Sequence, residues 1–178
     1  MNACGRLPPT LKAFVNGMNT ELPLYGLEKP NTCALACLRM VLAAFGTEVA
    51  EATIEAQAQM QERGTLIDEL ERLAQQFHLV AEIQDTTVEE LREILAEGKL
   101  PIAFIDRAVF DLTPQQRRTH SIRDAIIHTV IPVRVTAKSI TFHDPGPPGI
   151  TRKTIRLFRR AYSCLGGRCV VCSKADDT

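Results

Sequence analysis

The chain has 178 residues, with 21 basic and 21 acidic side chains and a formal net charge of +0. This length suits a single domain with a substantial core, spanning residues 1–178, and the charge balance gives no reason to expect a nucleic-acid or membrane-surface partner. The absence of tryptophan and the presence of only two tyrosines also argue against aromatic platforms for stacking bases.

The N-terminal segment lacks the marks of export. Residues Met1 to Gly17 have no continuous apolar core of the kind found in signal peptides. No uncharged apolar stretch is long enough to span a bilayer, because Arg39 interrupts the best candidate. We therefore expect a cytoplasmic protein without a membrane span, whose six cysteines are reduced.

Hydrophobic periodicity and breaker residues divide the chain into elements. Residues 1–31 are predicted to be irregular, with an N-terminal segment over 1–24, because prolines recur there. The predicted helices run from about Thr32 to Phe45, Val49 to Arg63, Thr65 to Phe77, Thr86 or Thr87 to Leu95, and Thr154 to Leu165. The predicted strands are Leu79–Ile83, Pro101–Ile105, Ile126–Val135, Ser139–His143 and Arg168–Ser173, and Pro145–Pro148 is predicted to be a loop.

Helices come first in this order and strands come last. That order predicts an α+β fold, with an antiparallel sheet against a helical layer, rather than repeated βαβ units. The third helix is expected to turn Leu66, Leu70 and Leu73 inward on one face. The polar, arginine-rich segment Asp106–Asp124 precedes His128 and is expected to form a surface loop or short helix beside the site.

Cys33 stands where the first helix should begin. Pro30 and Asn31 stop any earlier helix, and Asn31 or Thr32 can cap the new one. A cysteine in the first helical turn lies at the positive end of the helix dipole, which lowers a thiol pKa and favours the nucleophilic thiolate. The competing interpretation is a small buried residue, since cysteine is among the most buried residue types.

Two further residues complete a hydrolase pattern. His128 opens an apolar strand and Asp144 ends the next one, so the chain order is cysteine, histidine, carboxylate, as in papain-type hydrolases. His128 would act as general base and acid, and Asp144 would orient its ring. Of the rival histidines, His143 is expected to point to the opposite strand face from Asp144, and His120 is expected in a polar loop.

Three blocks of sequence resemble the bacteriocin-processing, double-glycine-leader cysteine peptidases and their stand-alone relatives. These blocks are Asn31–Leu42 followed by Phe45-Gly46, the middle section from Gly64-Thr65 to Gly98–Ile102, and His128–Val133 with Phe142–Pro145. The resemblance covers about Tyr25 to Lys174. It implies a papain-like fold, a Cys33–His128–Asp144 triad, cleavage of a peptide after small or glycine residues, and no cofactor. It also implies a possible partner protein that delivers the substrate.

The chain departs from the family pattern around the nucleophile. Thr32 and Ala34 flank Cys33, where the family has an acidic residue and a glycine. The family's upstream oxyanion glutamine is absent; Glu28 is a poor replacement, because a carboxylate repels an oxyanion, and Asn31 is the candidate donor. These departures keep two alternatives open: a catalytically degenerate peptide- or partner-binding domain, and a thiol acyltransferase or deconjugating enzyme.

Two other clusters have competing interpretations. Cys164, Cys169 and Cys172 have a spacing known from iron–sulfur proteins, with only the distant Cys4 as an obvious fourth cysteine. Cys169 and Cys172 are expected on opposite strand faces, so we predict core packing and no metal. The basic run Arg152–Arg160 is interpreted as a solvated helix face, with an acidic partner as the alternative.

Overall fold

A computed structural model describes residues 11–12, 21–62 and 64–175 of this chain. Cys4 and most of the segment 1–24 lie outside the described residues. The helices are α1 Cys33–Ala44, α2 Glu51–Glu55, α3 Ile67–Gln76, α4 Val88–Ala96, α5 Ala108–Asp111, α6 Gln116–Thr119 and α7 Ile155–Ser163, with a 3-10 turn at Ile122–Asp124. The strands are β1 Leu11–Lys12, β2 Glu21–Leu22, β3 Leu79–Asp85, β4 Leu100–Asp106, β5 Ile127–Val135, β6 Ser139–Pro145, β7 Pro148–Thr154 and β8 Arg168–Lys174.

Six strands form one antiparallel sheet in the order β3-β8-β4-β5-β6-β7, and β1 pairs with β2 separately. One apolar cluster lies between one sheet face and helices α1 and α3, and a second lies between the other face and helices α4, α5 and α7. The α+β class with an antiparallel sheet is therefore confirmed. No helix in the described ranges is long and apolar enough to cross a bilayer.

The helix α1 is a central, buried element because its sequence is apolar on nearly every side. Eight of its residues are buried. Its start is fixed by Asn31, which adopts a left-handed backbone conformation with φ of 68° and turns the chain just before the helix. Because α1 packs on β5, its first turn lies beside His128.

The second predicted helix is shorter in the structure, and strand β7 was not predicted from the sequence. The second helix, predicted over Val49–Arg63, stops at Glu55, because side chains of α3 bind the backbone that follows: Arg72 donates to the Gln57 carbonyl at 2.8 Å, and Glu69 accepts from the Gln59 amide at 2.6 Å. Strand β7 was missed, since this outermost strand is mostly polar and lacks a continuous apolar run.

Of two smaller expectations, the first is only partly correct and the second is confirmed. Leu70 and Leu73 are fully buried as predicted, but Leu66 lies before the first residue of α3 and is 52% exposed. Cys169 and Cys172 do point to opposite faces of the sheet, each into a different apolar cluster. Their odd spacing on a strand therefore separates their side chains, as predicted.

Candidate active site

Cys33 is the first residue of α1 and is partly exposed. Thr32 occupies the N-cap position, but its hydroxyl donates to the Lys29 carbonyl at 2.8 Å instead of capping the helix. No side chain in the described part of the protein caps this end. The N–H groups of the first turn are consequently directed at the region of the thiol, where they favour negative charge.

His128 and Asp144 come together because β5 and β6 are adjacent antiparallel strands, with Ile131 opposite His143. The His128 Nε2 nitrogen lies 2.6 Å from Asp144 Oδ1, and both side chains are buried. Asp144 Oδ1 also accepts the Gly146 amide at 2.9 Å. These bonds hold the imidazole by Nε2, which leaves Nδ1 as its free nitrogen.

The environment of His128 favours the protonated imidazole. Burial alone would lower the pKa of His128, but hydrogen bonds to Asp144 and Cys33, together with the negative charges of those two groups, raise it to about 9. At neutral pH, His128 is therefore stable as an imidazolium between a carboxylate and a sulfur atom.

The environment of Cys33 favours the thiolate. Burial raises the pKa of the Cys33 thiol, but hydrogen bonds to His128 and Thr129 and the charge of His128 more than offset that effect, so the net pKa is lowered. The Cys33 Sγ atom lies 3.6 Å from Thr129 Oγ1. Opposite pKa shifts in two neighbouring groups are the signature of a thiolate–imidazolium pair.

Cys37, one helical turn after Cys33, has a contrasting environment. It is fully buried, its Sγ donates to the Thr129 carbonyl at 3.4 Å, and burial raises the pKa of its thiol well above the usual value. Cys37 is thus an inert core thiol.

The rival histidines lie elsewhere. The side chain of His120, a residue expected in a polar loop, is buried against Asp106, whose carboxylate it contacts through Nε2. His143 is buried, and burial lowers the pKa of its ring to about 4, an effect that the Pro23 backbone only partly opposes. Unlike His128, neither of these two histidines is hydrogen-bonded to both Cys33 and Asp144.

The oxyanion candidate Asn31 is engaged elsewhere. Its side-chain amide is exposed and donates to the Glu62 carbonyl at 3.1 Å, so the structure does not support its use as an oxyanion donor. Glu28 is also occupied, because its carboxylate accepts from Arg39 Nη1 at 2.8 Å. In this segment, therefore, both polar side chains near the nucleophile bind other groups.

Leu27 packs against the turn that follows Asp144. Its backbone amide donates to the Pro145 carbonyl at 3.0 Å. A Cβ added to Gly146 would lie 2.5 Å from Leu27 Cδ2 and 3.9 Å from His128 Cε1, so the Leu27 side chain packs directly over the turn after Asp144. The side chain that lies against this turn is therefore apolar and has no hydrogen-bond donor.

Three residues of the site were missed from the sequence. Thr129 contacts Cys33, the buried Glu51 accepts the Glu28 amide at 3.1 Å, and Arg107 donates to the Gly146 carbonyl at 2.6 Å. Thr129 gave no signal, since it looks like any β-branched strand residue. A carboxylate in the first turn of a helix usually faces water, so nothing in the sequence indicates that Glu51 is buried.

The described structure also contains an apolar groove of about 380 Å³. Its lining residues are Gln61, Gly64, Thr65, Leu66, Ile67, Phe104, Ile122, Ile127, Leu165 and Arg168. The groove comes near the nucleophile segment where Gly64 lies against the Asn31 carbonyl, and Ile127 precedes His128 along β5, but none of Cys33, His128 and Asp144 lines it. Leu66, Ile122 and Ile127 are each more than half exposed there, which is typical of a binding surface.

Thr129→Val is expected to raise the pH at which Cys33 becomes reactive. The hydroxyl stabilises the thiolate, so its loss should shift the midpoint of Cys33 alkylation upward by about one pH unit. The measurement is the iodoacetamide rate against pH, followed at Cys33 by mass spectrometry. Thr151→Val, on the outermost strand, is the matched control and should leave the midpoint unchanged. An unshifted midpoint in Thr129→Val would show that the hydroxyl has no role.

The fold is that of the papain-like C39 peptidases, as solved structures show. A C39-like peptidase from Bacillus anthracis superposes with a TM-score of 0.69 at 14% identity, over 86% of this chain and 95% of that one. A double glycine motif protease from an AMS/PCAT transporter, solved in complex with the leader peptide, gives 0.65 at 18% identity, over 88% and 94%. The peptidase domain of Streptococcus ComA, a bifunctional ABC transporter of a quorum-sensing pathway, gives 0.64 at 13%, over 85% and 98%.

The sequence comparison identifies the family. The profile of the peptidase C39 family matches residues 24–176. The chain therefore belongs to the peptidase C39 family, and the resemblance noted from its sequence is confirmed. None of the curated protein sequences matches it significantly.

Proposed function

We propose that this protein is a cysteine peptidase that cleaves a peptide bond after small or glycine residues, with Cys33 as nucleophile, His128 as acid and base, and Asp144 as the residue that orients His128. The observation that carries the proposal is the geometry of the site: Cys33 begins α1 beside His128, whose Nε2 lies 2.6 Å from Asp144 Oδ1. This arrangement lowers the pKa of the Cys33 thiol and raises that of His128. Membership in the peptidase C39 family supports the same chemistry.

In the first half of the proposed reaction, the Cys33 thiolate attacks the carbonyl carbon of the scissile bond. The tetrahedral oxyanion forms near the uncapped first turn of α1, whose N–H groups donate to it. As the C–N bond breaks, the imidazolium of His128 gives its proton to the departing amine. A thioester on Cys33 and a neutral imidazole remain.

In the second half, water resolves the thioester. Neutral His128 removes a proton from the water molecule, whose oxygen attacks the thioester carbon. The C–S bond then breaks, the acid product leaves, and the thiolate–imidazolium pair is restored. Asp144 accepts a hydrogen bond from His128 throughout, which keeps Nδ1 directed toward the sulfur.

The apolar groove is evidence for a peptide substrate that carries hydrophobic side chains at a distance from the scissile bond. One of the similar structures contains a leader peptide, and we propose that the equivalent substrate here is the leader of a precursor peptide. Leu66, Ile122 and Ile127 would receive its apolar side chains. Delivery by a partner protein and action in the cytoplasm remain predictions from the sequence.

The experiment is a cleavage assay with synthetic precursor peptides. One peptide carries Gly-Gly before the intended bond, a matched peptide carries Val-Val there, and mass spectrometry identifies the products. We expect cleavage after Gly-Gly by the wild type and none by Cys33→Ala. Equal cleavage by Cys33→Ala, or cleavage of both peptides at unrelated bonds, would contradict the proposal.

A second candidate is a catalytically degenerate peptide-binding domain, and one observation favours it. The family's upstream glutamine is absent, and the Leu27 side chain that packs against the turn after Asp144 has no hydrogen-bond donor. A binder would hold the peptide without forming a thioester, so a bound but uncleaved peptide would identify this function. An acyltransferase or deconjugating enzyme would form the same thioester and pass the acyl group to an amine or another acceptor in place of water.

Leu27→Gln is expected to raise kcat for the cleavage reaction. A glutamine amide at this position adds a donor near the oxyanion, and one such donor changes kcat by roughly a hundredfold in other hydrolases. Leu27→Met is the control of similar size without a donor, and kcat should stay near the wild-type value. If both substitutions lower kcat alike, Leu27 serves only to pack the turn after Asp144.

A further inference from the structure

The feature that the proposed function leaves unused is a cleft lined by arginines, which we call the arginine cleft. It has a volume of about 400 Å³ and lies between α6 and α7. Its charged residues are Arg117, Arg118, Arg156 and Arg160, and its other lining residues are Pro114, Thr154 and Leu157. The basic run was interpreted from the sequence as a solvated helix face, but the structure places two arginines of another segment opposite it.

Two of the four guanidinium groups are held by the protein backbone. Arg117 Nε donates to the Val109 carbonyl at 2.9 Å, and Arg160 Nη2 donates to the Arg117 carbonyl. Carbonyl partners fix the positions of these side chains without neutralising their charge. The arrangement is therefore oriented in advance, which lowers the entropy cost of binding an anion.

The positive charge of the arginine cleft is not neutralised by nearby carboxylates of the described residues. No carboxylate lines it, and none of its four arginines forms an ion pair with a described residue. Arg159, on the same helix, does pair with Glu89. Arg156 and Arg160 are one helical turn apart, a spacing at which like charges repel. An anion in the cleft would remove this repulsion.

We propose that the arginine cleft binds a phosphoryl group. A guanidinium is planar, always charged and able to donate two parallel hydrogen bonds to phosphate oxygens, which is why arginine prevails where phosphate is recognised. The volume is at the small end for ligand sites and suits a phosphate with part of the molecule that carries it. The same chemistry is offered by a soluble phosphate compound and by a phospholipid headgroup.

The position of the cleft connects it to the apolar groove. After α6 the chain reaches His120, which contacts Asp106, and Asp106 Oδ1 also accepts the Ile126 amide at 3.0 Å. Between these two anchors lies Ile122 of the groove. A phosphoryl group held between α6 and α7 would hold this segment in place. The proposal that the arginine cleft binds a phosphoryl group does not depend on the proposed function. An effect of that binding on peptide cleavage would rest on the proposed function.

The test measures binding to the full chain by two probes. Inorganic pyrophosphate is titrated calorimetrically, and vesicles of equimolar phosphatidylglycerol and phosphatidylcholine are compared with pure phosphatidylcholine vesicles by flotation. The variants are Arg118→Ala, Arg156→Ala and the double variant, chosen because no hydrogen bond in the described structure depends on these two guanidiniums. Arg92→Ala, exposed on α4, is the matched control, and circular dichroism verifies folding.

We expect at least about tenfold weaker binding by the double variant, and unchanged binding by Arg92→Ala and by Cys33→Ala. Binding of pyrophosphate alone would identify a soluble source, and binding of the anionic vesicles with competition by pyrophosphate would identify a headgroup. Equal affinity of wild type and double variant, or no binding of either probe, would overturn the proposal. Because Cys33→Ala has no nucleophile, loss of peptidase activity does not affect this outcome.

Discussion

Cys33→Ser is expected to lower kcat/KM for the Gly-Gly peptide by about a thousandfold or more. The thiolate is the species that attacks, and the surroundings of Cys33 lower the pKa of a thiol, whereas a serine hydroxyl starts several units higher and stays protonated beside His128. The fold should be unaffected, because the hydroxyl is nearly isosteric and the position is partly exposed.

The controls for this prediction are substitutions of two other cysteines, Cys37 and Cys164. Cys37→Ala removes a buried thiol one turn away and should cost some stability, with kcat/KM close to the wild-type value. Cys164→Ser changes a partly exposed thiol, and it should have no effect on activity. Steady-state kinetics with the Gly-Gly peptide measures all three variants. Activity of Cys33→Ser within a few-fold of the wild type would contradict the assignment of the nucleophile.

His128→Ala is expected to reduce kcat/KM by about a thousandfold and to abolish the selective reactivity of Cys33 at pH 6. Without the imidazolium, the pKa of the Cys33 thiol should rise toward its ordinary value, because its main charged partner is lost. At pH 6 the variant would hold little thiolate, so Cys33 and Cys164 would alkylate at similarly low rates.

The pH profile of the wild type follows from the same pair. Activity requires the thiolate and the imidazolium together, so kcat/KM should rise through the lowered Cys33 pKa and fall above pH of about 9, where His128 loses its proton. Asp144→Asn removes a charge that raises the His128 pKa, so the alkaline limb should move to lower pH. An alkaline limb that does not move in Asp144→Asn would contradict the proposed role of Asp144.

The sequence predicted the elements with strong local signals. The helix start at Cys33 was recognisable because Pro30 and Asn31 precede an apolar run, and Thr87 with Glu90 makes the capping box that begins α4. His128 and Asp144 were recognisable as candidates because each stands at the end of an apolar strand. Adjacent antiparallel strands then bring them within 2.6 Å.

The sequence could not predict the contacts made by polar side chains between distant segments. The early end of α2 depends on Arg72 and Glu69 of the following helix, and the position of Asn31 depends on the Glu62 carbonyl. No periodicity encodes such bonds, since they arise only once the segments pack together. For the same reason, the arginines of α6 and α7 look like separate solvated faces until the fold brings them together.

Labelling with a vinyl-sulfone probe ending in Gly-Gly tests the central claim most directly. Wild type, Cys33→Ala and His128→Ala are treated at pH 6, and peptide mapping locates the modified cysteine. An activated Cys33 paired with His128 predicts fast modification of Cys33 in the wild type alone. Labelling of the wild type no faster than that of denatured protein, or equally fast labelling of His128→Ala at Cys33, would contradict the account.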